Sequence, residues 1–184
     1  MRNAWAGERV SLGHSEHDEG IHVFPRPVQK PEPPIWIAAF GPKALAQAGK
    51  LGLPYFASPM ESLSKLEDNF LIHEEAAANA KVTVPEIVPV MRSVFISENS
   101  REIKNLKEIL SKRTDDSYLN KGENVDDWAI VGSANEVSDK IELYVERIGV
   151  THLIAARLRV PGLAQKSLRA SITRLAQLYR KKTK

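Results

Sequence analysis

Short apolar runs alternate with amphipathic segments four times along this chain, and that alternation constrains the fold more than any other feature. The runs are "IWIAAF" (35–40), "PYFASP" (54–59), "VPVMRSVFIS" (88–97) and "THLIAARL" (151–158). Each has the length and composition of a strand, and the first is apolar throughout, the pattern of a strand buried on both faces. A helical pattern follows each run. Leu45, Ala48 and Leu51 share a face behind Pro42, with Gly52 as the stop. Ser62 is placed to cap a helix bearing Leu63, Leu66, Phe70 and Ala77. Ile103, Leu106 and Leu110 share a face, and a Ser133-x-x-Glu136 capping box precedes Val137, Ile141, Tyr144, Val145 and Ile148. A last helix carries Leu168, Ile172, Leu175 and Tyr179 inward. Parallel strands need crossovers, and here the helices supply them, so the chain predicts a parallel α/β fold. Four such units suit a small open sheet or half of an eight-stranded barrel, and periodicity does not choose between them.

Residues 1–34 read differently. Gly13, Gly20, Pro25, Pro27, Pro31, Pro33 and Pro34 punctuate them, which predicts an extended connection with no helix of its own. The stretch 114–127, "TDDSYLNKGENVDD", is polar and aperiodic and predicts a loop. The chain has no cysteine, which removes disulfides, thiolate metal sites and a cysteine nucleophile. Its net charge of +3 gathers at the terminal "YRKKTK", and no basic-aromatic pattern accompanies it, so no nucleic-acid partner is expected. No apolar run reaches signal-peptide or membrane-span length, so no membrane partner is expected and a cytoplasmic location is. His14, His17 and His22 cluster with Glu16, Asp18 and Glu19, but the spacing fits no ligand pattern and no metal site is expected. His73 and His152 receive no role.

Three segments carry a resemblance. "FPRPVQKPEPPIWIAAFGPKALAQAGKLG" (24–52) resembles the region around the fifth barrel strand of the bacterial-luciferase-like flavin monooxygenases and their deazaflavin-dependent relatives. "VPVMRSVFISENSREI" is similar to that family's seventh strand, and "WAIVGSANEVSDKIELYVERIGVTHLIAARL" to its seventh helix entering the eighth strand. The resemblance implies a TIM barrel, for which about 250 residues are typical. It implies that residues 35–184 are the C-terminal half, strands five to eight, and that residues 1–34 are the connection before them. The implied activity is oxidation of a small organic substrate with O2 and reduced FMN supplied by a reductase; the alternative is hydride transfer with coenzyme F420. A partial barrel implies inactivity alone, and a homo-oligomer or a complementary N-terminal half-barrel chain as partner. The rival reading is a non-catalytic truncated paralogue or a split-barrel subunit.

The resemblance also implies a site. Ala39, Phe40, Gly41, Pro42 and Lys43 match the turn that faces the flavin phosphate, where a helix start favours an anion. Pro42 removes one donor and Lys43 adds a charge; the plainer reading is that Gly41 only lets the chain turn. Arg92, in "MRS", matches an arginine of the active-site wall near the reacting edge of the flavin, with a buried salt bridge as the structural alternative. Some relatives carry a histidine two positions later, where this chain has Val94. Arg157 and Arg159 flank Leu158 and share a side of the strand, to bind an anionic substrate or to face solvent. The loop 114–127 occupies the family's mobile insertion.

Overall fold

Every strand pair among the described residues is parallel, as helical crossovers require. The computed structural model describes all residues except Leu12, 14–18, 113–119, Arg157, Arg159 and 181–184. These form two compact units, Met1–Ile35 and Trp36–Lys184. The first contains a helix that the sequence reading did not expect, α1 (Arg2–Ala6). It lies ahead of the first proline and ends where Gly7 turns left-handed at φ 89°. A single antiparallel bridge, Val10 to Ile21, follows it.

The second unit begins with β1 (Ile37–Ala38), α2 (Pro42–Lys50), β2 (Tyr55–Phe56) and α3 (Leu63–Ala80). It continues through β3 (Pro89–Ile96), α4 (Ser100–Ser111), α5 (Val125–Trp128) and β4 (Ile130–Gly132). It ends with α6 (Ala134–Ile148), β5 (His152–Ala156) and α7 (Gln165–Arg180). β1 pairs with β2, and β3 is central to a second sheet. The first half of β3 pairs with β5, from Pro89–His152 to Ser93–Ala156, and its second half pairs with β4, from Val94–Ile130 to Ile96–Gly132. One parallel bridge, Ala57 to Val90, joins the two sheets.

Three expectations are corrected here. The described chain has five strands rather than four, because "IVG" forms the short β4 against the end of β3. The loop 114–127 ends in α5, nucleated by a capping box in which Asn124 and Asp127 satisfy each other's backbone N–H groups. β1 is short and exposes Ala38, because it is an edge strand covered on one face only.

Strand alternation separates two faces. Ile37, Tyr55, Ala57, Val90, Val94 and Leu153 point into a core closed by residues of α2, α3 and α6. On the other face Trp36 stacks against Phe56 and His152, with ring centroids 5.9 and 5.5 Å apart. A second core, around Phe95 and Trp128, gathers α4, α5 and β4. Among the described residues no helix is long and apolar enough to cross a membrane.

α2 and α3 pack closely at Gly49 of α2. A Cβ built there falls 2.1 Å from the carbonyl oxygen of His73 on α3, a backbone atom that cannot rotate away. Gly49→Ala is therefore expected to lower unfolding stability by about 2 kcal/mol, in the range of overpacked cores, measured by urea denaturation. Gly49 is helical, where alanine is otherwise the better helix former, so a loss of stability reports the clash.

Candidate functional site

Two groups of residues bear on function: the turn between β1 and α2, and a buried polar network around β2 and β3. At the turn, Ala39 is buried, Phe40 is 56 % exposed and Lys43 is exposed. Gly41 is the N-cap of α2 at φ 79°, a conformation that favours glycine, and it makes no side-chain cap. Pro42 follows in the first turn, which holds no acidic residue. A Cβ added at Gly41 would meet nothing within 4 Å, so the space beside the turn is open.

The starts of α3, α4 and α6 are already satisfied by this chain's own groups. Ser62 accepts from Lys65 N at the start of α3, and Asn99 accepts from Arg101 N and Glu102 N at the start of α4. At the start of α6 the Glu136 carboxylate accepts from Ser133 N at 2.7 Å and Glu98 from Ala134 N at 3.5 Å. The residues at the β1–α2 turn thus fit an anion such as a phosphate: open space, a free cap position and a neighbouring lysine.

Arg92 is fully buried on β3, on the face it shares with Val90 and Val94. Its Nε donates to the Tyr144 hydroxyl at 2.9 Å, and its Nη1 donates to the carbonyls of Ser58 and Met91, both at 2.6 Å. The guanidinium carbon lies 5.0 Å from the centroid of the Tyr144 ring, a cation–π distance. Its Nη2 is buried without a hydrogen-bond partner among the described residues. The resemblance implies a wall near a flavin's reacting edge; in the structure the side chain's partners are Tyr144 of α6 and the carbonyls of Ser58 and Met91. Among the described residues no carboxylate forms an ion pair with it.

The carboxylate of this region is Glu61, 1 % exposed, which sequence reasoning did not single out. It accepts from the Tyr55 hydroxyl at 2.9 Å, from Ser58 N at 3.0 Å and from Asn69 Nδ2 at 2.8 Å. Burial, reinforced by Glu61, pushes the Tyr55 phenol far above its ordinary value and keeps it a donor. Burial likewise raises Tyr144, against the opposing pull of Arg92. The only sequence signal for Glu61 is its place just before the Ser62 cap, which many exposed acids share.

Arg157 and Arg159 lie outside the described residues, as do His14 and His17; Leu158 between the arginines is buried. His22 Nδ1 sits 3.1 Å from Gly7 O, and buried His73 places Nε2 2.8 Å from Leu53 O. Among the described residues no group of three acidic or histidine side chains is placed to hold a metal.

Two measurements check this description. Arg92→Met leaves Glu61 buried without its charge counterpart across Ser58 and is expected to cost about 3 kcal/mol. Adding Glu61→Gln is expected to cost less than the sum of the single changes, as a double-mutant cycle in urea would read. The second concerns acid. Hydrogen bonds from Ser167 and Ser97 hold Glu102 below its ordinary 4.5, and those from Ser133 do the same for Glu136. The folded state then binds these protons less tightly than the unfolded state. Their contribution is complete above pH 4.5 and lost as pH falls through the lower folded values. Glu102→Gln should flatten the acid limb of the stability profile and leave the neutral region parallel to it.

The sequence model of the luciferase-like monooxygenase family matches residues 1–106, which include the β1–α2 turn and all of β3. No curated protein matches the chain. Among solved structures, monooxygenase RslO1 from Streptomyces bottropensis is 18% identical with a TM-score of 0.72, over 100% of this chain and 58% of that one. The oxygenating constituent of 3,6-diketocamphane monooxygenase from Pseudomonas putida, in complex with FMN, is 17% identical with a TM-score of 0.67, over 95% and 59%. An F420-dependent secondary alcohol dehydrogenase in complex with an F420–acetone adduct is 18% identical with a TM-score of 0.58, over 84% and 52%. This chain thus spans less than two thirds of each of them, and at these identities the likeness is one of fold: parallel strands and helices resembling part of the luciferase-like barrels. A family match over more than half of the sequence, on a fold of that kind, means that the chain belongs to the luciferase-like monooxygenase family.

Proposed function

We propose that β1, β2, β3 and β5 form strands five to eight of a TIM barrel in a flavin-dependent monooxygenase, which uses reduced FMN and O2 to oxidise an organic substrate. The observation that carries the reading is the β1–α2 turn. It lies inside the segment matched by the family, opens a helix without a side-chain cap and leaves free space at Gly41. In this reading the backbone N–H groups of Lys43 and Ala44 hold the flavin phosphate, and the Lys43 ammonium adds a charge-assisted contact. Ala39 and Phe40 line its approach. FMN supplies the redox chemistry when bound; the task of these residues is to fix its position. Arg157 and Arg159, which flank Leu158 just after β5, contact an anionic part of the substrate. The remaining walls of the flavin site come from a homo-oligomer or from a complementary N-terminal half-barrel.

The structural likeness to an enzyme solved with FMN supports that cofactor. The likeness to an F420-dependent dehydrogenase supports coenzyme F420 as the second reading.

The test is calorimetric titration with FMN and with riboflavin, which lacks the phosphate, with and without an N-terminal half-barrel from a relative. FMN is expected to bind weakly to the chain alone and more tightly in the mixture. It should exceed riboflavin by about tenfold or more, a charge-assisted preference that Gly41→Val and Lys43→Glu remove. Equal binding of the two would take the turn out of the site. Tighter binding of F420 than of FMN would favour the second reading.

A further inference from the structure

β1 has one strand neighbour among the described residues, β2, and pairs with it only at Ile37–Tyr55 and Ala38–Phe56. Ile37 N also donates to the carbonyl of Pro54 at 2.9 Å. The β1–α2 turn begins where this short strand ends, and Ala39 and Leu45, on either side of Gly41, are buried in the same core as Tyr55. The turn therefore follows β2.

β2 meets β3 through a single backbone bridge, Ala57 to Val90, and side chains supply firmer links. Arg92 Nη1 donates at 2.6 Å to the carbonyl of Ser58, the residue after that bridge. Glu61 accepts from Ser58 N at 3.0 Å and from the Tyr55 hydroxyl at 2.9 Å, and Asn69 Nδ2 donates to Glu61 at 2.8 Å and to that hydroxyl at 3.1 Å. Arg92 and Glu61 are both buried, where such bonds are stronger than in water. Two residues beyond the last paired positions, Ser58 corresponds to Phe40 of the turn. The residue that Arg92 and Glu61 hold is thus the one that follows β2 as Phe40 follows β1.

We infer that Arg92 is a positioning residue for the β1–α2 turn: through Ser58 and β2 it sets where Gly41, Lys43 and Ala44 stand relative to β3, without touching the flavin. The inference rests on the phosphate role proposed for that turn. Arginine suits the task because its planar fork reaches the Ser58 carbonyl and the Tyr144 hydroxyl together, whereas lysine carries the charge without the fork. Hydrogen bonds to a phosphate weaken steeply with angle, so a shifted turn loses phosphate recognition before it loses contact with the rest of the flavin.

The test titrates the 184-residue chain with FMN and with riboflavin, with and without the N-terminal half-barrel. Arg92→Lys is expected to lose most of the roughly tenfold preference for FMN and to leave riboflavin binding unchanged. It should also move the backbone amide NMR signals of Gly41, Lys43 and Ala44, which report the turn without any ligand. Ser171→Ala removes the acceptor of the Ile96 N–H on α7, outside this network, and serves as the comparison for lost stability. It should leave both readouts in place. Should Arg92→Lys fail to fold, Tyr144→Phe keeps the ring against the guanidinium, removes the acceptor of Arg92 Nε and carries the same two expectations. Unmoved turn signals or a full FMN preference in these variants would overturn the inference alone, as would equal changes in Ser171→Ala. A wild-type chain that does not prefer FMN would remove the phosphate role of the turn and the inference with it.

Discussion

Ser58 is gripped through both of its backbone polar groups by buried charge, and much of the second unit depends on that grip. Its carbonyl accepts from the Arg92 guanidinium and its N–H donates to the Glu61 carboxylate. Arg92 belongs to β3, Glu61 precedes α3, and Ser58 follows β2, so one residue ties three elements together. Tyr144 and Asn69 extend the network to α6 and to the second turn of α3. The two sheets share a single backbone bridge, at Ala57 and Val90, immediately beside this clamp. Where strand pairing is that sparse, side-chain hydrogen bonds carry the alignment between sheets.

Such a clamp costs desolvation, and well-packed apolar residues often stabilise a core as well as a buried charge pair does. What it contributes is geometry. A guanidinium held by two carbonyls and a phenol accepts little displacement, and the Glu61 oxygens accept from three donors of fixed position. The chain leaving β2 is thereby held at the C-terminal end of the strand. The β1–α2 turn lies at the corresponding end of the neighbouring strand, one register step away. Its open glycine therefore stands on a support whose position is set by buried polar contacts rather than by its own short strand.

Much of this was legible along the chain, for local reasons. Helix starts at Ser62, Asn124 and Ser133 rest on hydrogen bonds between residues three apart, so a capping pattern in the sequence becomes a cap in the structure. The Ser133–Glu136 box was read directly; the Asn124–Asp127 box was present but hidden in a polar run and went unread. β4 escaped because three residues carry no periodicity and exist as a strand only through pairing with Val94, Phe95 and Ile96. Ile172 and Val145 fit the inward stripe of their helices and yet stand exposed, since a helical period names a face without saying whether anything covers it.

What the sequence by itself determined is the alternation of parallel strands and crossover helices, the caps that start those helices and the glycine that opens α2. These depend on backbone dihedrals, on proline and glycine, and on contacts within a turn, all of which are written locally. The tertiary structure alone decided that Arg92 faces the helices, that Glu61 is buried and that Ser58 lies between them. A period of two already places Arg92 with Val90 and Val94. Which face the helices then cover is set by residues more than fifty positions away, such as Tyr144, and no local pattern contains that information.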